Sequence, residues 1–215
     1  RADRLMSKKI ANEDDCWRVK TTDIKKDLIG LIEEFKPKIV GVSVTEPTYE
    51  ISLMLTRLIK RHYPDIIILA GGAFTTLSPD IVIKENSIDI ICLGEGETAF
   101  LELCGRIYNN KDICDIEGLW VKKQNKIYKN NPGKLPDING LPHLDFSVFD
   151  NALFYKPMQG KLYKMVNIET SRGCPYNCTY CSSSKLKELA RVHGCGSYYR
   201  NVNMEKIIEQ IRYQI

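Results

Sequence analysis

The sequence predicts an α/β fold: a doubly wound parallel sheet, followed by the first strand–helix unit of a further α/β domain. Three observations carry this. Apolar runs of strand length, at residues 39–44, 66–70 and 88–93, alternate with stretches whose apolar residues recur at helical spacing. Each run is continuous, as in strands covered on both faces. Each is followed by glycine or small polar residues. Such alternation gives right-handed crossovers and a parallel sheet.

The elements follow in order. Residues 1–21 are poorly patterned, with a polar run at 12–15 and a strand remnant expected at Trp17 and Val19. Thr22 is placed to cap a helix with Asp23 in its first turn. Ile24, Leu28, Leu31, Ile32 and Phe35 share one face, and Pro37 closes it. After the strand at 39–44, Glu46-Pro47-Thr48 makes a turn and a helix start. Ile51, Met54, Leu55, Leu58 and Ile59 form the next stripe, ended by Pro64-Asp65. The strand at 66–70 runs into Gly71-Gly72. Ser78-Pro79-Asp80 opens a short helix with proline at its first position. The strand at 88–93 runs into Gly94-Glu95-Gly96-Glu97, and Phe100, Leu103, Cys104, Ile107 and Tyr108 form a helical face.

Residues 119–122 and 126–129 flank Gln124-Asn125 as a small hairpin in a connector. Residues 135–143 are a proline-punctuated linker. A strand at 164–169 then leads into a cysteine loop, followed by a long loop with one helical turn around 186–190. Met204, Ile207, Ile208, Ile211 and Ile215 lie on one helical face, which without a partner sheet is expected to be exposed.

Composition narrows the function. Of the residues 43% are hydrophobic and 27% charged, as in soluble globular proteins. No apolar run approaches the ~20 residues of a membrane span, and the polar start is not a signal peptide. The net charge of +4 is too mild to argue for nucleic acid. Lysines and arginines gather in the C-terminal quarter, weak support for an anionic substrate. Eight cysteines in 215 residues are too sparse for a secreted disulfide scaffold, which favours a reducing cytoplasmic setting. Cys92 and Cys104 read as small buried hydrophobes. His62 and His143 read as structural. The start at Arg1 rather than Met suggests a fragment.

Two clusters carry chemistry. In open α/β sheets ligands bind beyond the carboxyl ends of the strands. Ser43 and Thr45, Gly71-Gly72, and Gly94-Glu95-Gly96-Glu97 sit at three such ends, and glycine admits a bulky ligand close to the backbone. One Gly-Gly pair could be only a turn; three strand ends on one edge favour a binding site. The second cluster is Cys174, Cys178 and Cys181, spaced C-x3-C-x2-C. Thiolates select iron–sulfur clusters, zinc or Cu(I). A closed zinc site needs four ligands, and no His or Cys lies between Cys181 and His193. A [4Fe–4S] cluster held by three cysteines keeps one iron open for substrate or cofactor. A zinc knuckle completed by Cys195 or His193 is the alternative.

Ser171-Arg172-Gly173-Cys174-Pro175-Tyr176-Asn177-Cys178-Thr179-Tyr180-Cys181 resembles the signature of radical S-adenosylmethionine (radical SAM) enzymes, in the subgroup with a cobalamin-binding domain upstream. The resemblance implies that the three cysteines bind three irons of a [4Fe–4S] cluster and that SAM chelates the fourth. An electron from the cluster then cleaves SAM to a 5′-deoxyadenosyl radical, and Tyr180 lies beside the adenine. Residues 41–45, 71–76 and 94–97 resemble the loops of the Rossmann-like cobalamin domain. Ser43, Thr45, Gly71, Gly72, Gly94, Glu95 and Gly96 are thereby its implied contacts. Tyr199-Arg200 resembles a pair common after the cluster loop.

The chain departs from that pattern in lacking D-x-H-x-x-G, so no histidine is placed to ligate cobalt, and in an absent or degraded first strand and helix. The expected organisation is a cobalamin-binding-like domain at 1–116, hairpin and linker at 117–160, and the start of a radical SAM domain at 161–215. The expected function is that of the N-terminal part of a radical SAM enzyme, inactive alone, that takes a [4Fe–4S] cluster, SAM and cobalamin. It would use a small-molecule substrate and a flavodoxin- or ferredoxin-type electron donor, for methyl transfer, rearrangement or cyclisation. The alternatives are a radical SAM enzyme whose first domain is vestigial, as in RNA methylthiotransferases, and a non-enzymatic zinc- or nucleotide-binding module.

Overall fold

The computed structural model describes residues 22–159, 161–165 and 167–214. The strand remnant expected at Trp17 and Val19 lies outside them. The first helix, α1 (Ile24–Phe35), is capped by Asp23 rather than Thr22. The Asp23 carboxylate accepts from the Lys25 N–H at 2.9 Å, and its charge also suits the positive helix end.

Three parallel strands follow, β1 (Ile39–Ser43), β2 (Ile67–Gly71) and β3 (Ile90–Cys92). The register pairs Ser43 with Gly71 and Leu69 with Ile90, which brings the carboxyl ends to one edge. A 3-10 turn (Glu46–Thr48) and α2 (Tyr49–His62) join β1 to β2. The next connection holds α3 (Ala73–Leu77) and α4 (Pro79–Val82), and α5 (Glu97–Tyr108) follows β3. Asp89 ties the strands below that edge: it accepts from the Ile68 N–H at 2.7 Å and pairs with Lys60.

The parallel strands expected from the sequence are present, and two antiparallel strands extend them into a mixed sheet. The hairpin β4 (Leu119–Lys123) and β5 (Lys126–Lys129) is no detached connector. It adds antiparallel to β3, giving the order β1-β2-β3-β4-β5. The cause is the open edge of β3, whose backbone groups need partners; Leu119 and Val121 also complete a buried face. Gln124 and Asn125, both at positive φ, form the tight turn.

Both sheet faces are packed. Ile32, Leu53, Ile59, Ile68 and Ile91 lie in one layer; Leu69, Ile90, Ala99, Leu103, Ile116 and Leu119 lie in the other. Residues 23–138 and 172–200 form one compact unit, so the cysteine segment belongs with the sheet. Within it, α6 (Ser182–Val192) replaces the expected long loop. Its three serines have modest helix propensity, but the Ser184 hydroxyl donates to the Cys181 carbonyl at 2.7 Å and steadies the first turn.

Residues 139–171 and 201–214 belong to a second unit. The strand expected at 164–169 ends at Lys164: β7 (Lys161–Lys164) pairs antiparallel with β6 (Tyr155–Met158), and residues 167–169 are irregular. A partner reached through a two-residue turn closes at little entropic cost. Two short strands, β8 (Ser171–Arg172) and β9 (Arg200–Asn201), pair with each other. In the second unit α7 (Met204–Gln214) keeps Met204, Ile208 and Ile211 exposed, as expected. Its Lys206 ammonium donates to the Asn139 carbonyl at 2.9 Å, and His143 stacks on Tyr213. Among the described residues no helix is long and apolar enough to cross a membrane.

Candidate cofactor site

The strand ends build a crevice of about 620 Å³. Ser43, Gly71, Gly72, Gly94, Glu95 and Gly96 all line it, joined by Gly41, Phe100 and Arg172. Thr45, the seventh residue expected there, does not: its backbone N–H and hydroxyl are engaged with the Thr48 hydroxyl at the start of the 3-10 turn.

Backbone geometry holds the crevice open. The Val44 N–H donates to the Gly71 carbonyl at 2.7 Å, and the Phe74 N–H donates to the Val44 carbonyl. Gly72 sits in this interlock at φ +101°, where a Cβ would meet the Val44 carbonyl oxygen at 2.7 Å, so only glycine fits. The Thr76 hydroxyl donates to the Gly72 carbonyl and accepts from the Gly94 N–H, each at 3.0 Å, stitching the two glycine loops together. Gly41 and Gly94 differ: a Cβ on either would have no atom within 4 Å. Glycine at 41 therefore keeps space free rather than avoiding a clash. Beneath the crevice the Cys92 thiol is pushed up to about 11, by burial first and by the Glu97 charge second; it is a neutral wall.

The cysteine segment begins beside the same crevice. The Arg172 guanidinium donates to Glu95 Oε2 at 2.7 Å and also to Glu97. Arg200 donates to the other Glu95 oxygen and, at 2.8 Å, to the Pro136 carbonyl. Gly173 has φ +85°, and a Cβ there would lie 2.0 Å from the Tyr198 carbonyl oxygen. The Tyr198 hydroxyl is 3.2 Å from the Ser183 hydroxyl. Lys187 on α6 donates to the Pro175 carbonyl at 2.9 Å and to the Asn177 side chain. The loop is thus fastened at its entry, middle and exit.

Its thiols are free. Cys174 and Cys178 are half-buried and Cys181 is exposed. Cys181 directly precedes the first turn of α6. Tyr180 is 91% exposed in the turn between the last two cysteines. Among the described residues no three His, Cys, Asp or Glu side chains converge closely enough to hold a metal ion. Three free thiols within eight residues nonetheless fit an iron–sulfur cluster as a donor set. Cys195 is buried, with its thiol raised by burial and its sulfur facing the Pro132 carbonyl, and does not act as a fourth donor here.

Arg172, Glu97, Arg200, Tyr198, Lys187 and Thr76 carry this architecture without having been given a role from the sequence. The opposed charges of the Gly94–Glu97 loop and of Arg172 were the available signal, but 77 residues separate Arg172 from Glu95.

The fold and crevice define a class: an α/β domain with a crevice at its strand ends, joined to a three-cysteine loop. Residues 10–104 match the B12 binding domain family. The chain is 29% identical over 187 residues to an uncharacterized methyltransferase, PH0819, of Pyrococcus horikoshii, covering 86% of this chain and 38% of that protein. It is 30% identical over 144 residues to the anaerobic magnesium-protoporphyrin IX monomethyl ester cyclase of Synechocystis, covering 66% of this chain and 28% of the other. The structure of the radical SAM methyltransferase TsrM from Kitasatospora setae, with cobalamin and a [4Fe–4S] cluster bound, superposes with a TM-score of 0.62. That match has 21% identity and covers 89% of this chain and 38% of that one. The chain therefore resembles radical SAM proteins that carry a cobalamin-binding domain, and it spans less than half the length of these relatives.

Proposed function

We propose that the chain is the cobalamin-binding and cluster-binding part of a radical SAM enzyme that transfers a methyl group or closes a ring. The observation that carries this is the placement, within one compact unit, of a glycine-walled crevice beside the entry to a C-x3-C-x2-C loop. In this reading Ser43, Gly71, Gly72, Gly94, Glu95 and Gly96 form the cobalamin site, with Gly41 and Phe100 added. Thr45 acts one step removed, by fixing the turn that follows Ser43. Cys174, Cys178 and Cys181 hold the cluster, and Tyr180 lies against the SAM adenine. When bound, the reduced cluster would supply the one electron that cleaves SAM to methionine and a 5′-deoxyadenosyl radical, and cobalamin would supply methyl-carrying capacity.

The residues of the chain do the positioning. Gly41 and Gly94 leave the volume that a corrin's nucleotide tail fills. Cys92, kept protonated by its burial, adds no charge to that wall. Thr76 fixes the separation of the two glycine loops. Lys187 and Tyr198 hold the backbone on which the cysteines are displayed. Among the described residues that line the crevice there is no histidine.

The test is anaerobic reconstitution of the intact protein with iron, sulfide and hydroxocobalamin, followed by gel filtration. Corrin and iron–sulfur absorbance co-eluting with protein, and 5′-deoxyadenosine formed from SAM under reduction, support the reading. Stoichiometric zinc with no reducible cluster would replace it with the zinc-module alternative.

A further inference from the structure

We propose that Glu95 and Arg172 couple the two cofactor positions, so that a corrinoid in the crevice and a cluster on the cysteine loop strengthen each other's binding. This rests on the function proposed above.

Glu95 belongs to the crevice wall, yet both of its carboxylate oxygens are taken by the segment that carries the cysteines. Arg172 holds one, two residues before Cys174; Arg200, beyond α6, holds the other. Arg172 also reaches Glu97 at the first turn of α5. Two carboxylates thus face two guanidiniums, and the charges cancel. The group is sheltered: the side chains of Glu95 and Arg200 are only 18% and 14% exposed. An Arg–carboxylate contact in such a setting is directional and loses much when one partner moves or becomes neutral.

The path from Glu95 to the thiols has little slack. Gly173 passes so close beneath the Tyr198 carbonyl that it has no room for a Cβ. Tyr198 in turn meets Ser183 in the first turn of α6, just after Cys181. A change in the seat of the Gly94–Glu97 loop is therefore felt at Arg172, and through Gly173 at Cys174. A cluster would take one thiol at each of three irons, so loading it orders cysteine side chains that are free here. A ligand that fixes Glu95 from the crevice side reduces the ordering left to be done. Linkage makes the effect reciprocal: whatever factor the cluster adds to corrinoid affinity, the corrinoid adds to cluster affinity.

The experiment is a thermodynamic cycle on the intact protein under anaerobic conditions. Hydroxocobalamin is titrated into the protein with and without a reconstituted cluster, followed by its absorbance. Iron retention against a chelator is measured with and without hydroxocobalamin. In the wild type the cluster should tighten hydroxocobalamin binding on the order of tenfold, within the usual range of coupling, and the corrinoid should slow iron loss. In Glu95→Gln, which alters the crevice wall itself, hydroxocobalamin should bind more weakly with or without the cluster, but the factor between the two states should fall to about one, and Glu95→Asp should restore part of it. If Glu95→Gln loads neither cofactor, Arg172→Lys serves instead: it keeps the charge but not the fork, and should lower the factor likewise. Equal hydroxocobalamin affinity with and without the cluster in the wild type would overturn the inference. So would an undiminished factor in Glu95→Gln. Failure of the underlying function looks different, because no corrin absorbance or no iron then stays with the protein at all.

Discussion

The glycine crevice and the cysteine loop lie in the same compact unit but are built in opposite ways. The crevice is made of backbone: strand ends in fixed register, glycines at positive φ, and threonine hydroxyls bridging the loops. Its shape follows from the parallel sheet and needs no ligand to form. The cysteine loop has a fastened backbone, but its functional atoms are the side-chain sulfurs of free cysteines. Sites of that kind gain their final geometry from the metal, because binding is coupled to ordering. A backbone-built site should therefore fail through the fold, and a thiol-built site should fail through loss of its ligands while the fold survives.

The largest effect tests the second half of that contrast. Replacing any one of Cys174, Cys178 or Cys181 by Ala should abolish SAM cleavage, read as 5′-deoxyadenosine formation, with the thermal midpoint of the apoprotein nearly unchanged and hydroxocobalamin still bound at its cluster-free affinity, on the order of tenfold weaker. Retained cleavage would remove the cluster assignment. Next comes Gly173→Ala, where the loop meets the fold. The new Cβ must displace the Tyr198 carbonyl from 2.0 Å, and a cost of about 3 kcal/mol is expected in denaturant unfolding. Iron content should fall together with stability, unlike in the cysteine variants.

Alkaline pH probes the crevice floor. The Cys92 thiol is raised to about 11 by burial, so the folded state keeps a proton that the unfolded state releases near its ordinary value of about 9. Its contribution is complete below about pH 9 and is lost as pH rises toward 11, at ~1.4 kcal/mol per unit. Cys92→Ser should flatten that part of the stability profile. Gly72→Ala, strained by φ and crowded by Val44, should cost about 1–3 kcal/mol and weaken hydroxocobalamin binding with it. Gly41→Ala sharpens the contrast with the smallest effect: its Cβ meets nothing within 4 Å, so stability should change by less than about 0.5 kcal/mol. Hydroxocobalamin affinity should still fall several-fold, since the added methyl occupies crevice space.

The crevice was legible in the sequence because its parts are local signals. Strand runs and the glycines after them are local signals, and Ser43, Gly71 and Gly94 reach one edge once the strands are parallel. The cysteine spacing was equally local. What escaped was non-local. The pairing of Arg172 with Glu95 spans 77 residues, and no periodicity announces it. The hairpin at Leu119–Lys123 was visible, but its docking on β3 depended on which sheet edge was open. Residues 164–169 were read as a strand toward the cysteines; the strand stops at Lys164, because β7 pairs antiparallel with the nearby β6. Thr45 shared the composition of a contact residue, yet its hydroxyl is taken up by Thr48.

The central claim is that one unit serves a corrinoid and an iron–sulfur cluster side by side. The most direct measurement is simultaneous metal and corrin analysis of the reconstituted intact protein. About four irons and one cobalt per chain are expected, with iron lost in the cysteine variants and cobalt reduced in the Gly41 and Gly72 variants. One zinc per chain with no cobalt retained would contradict it.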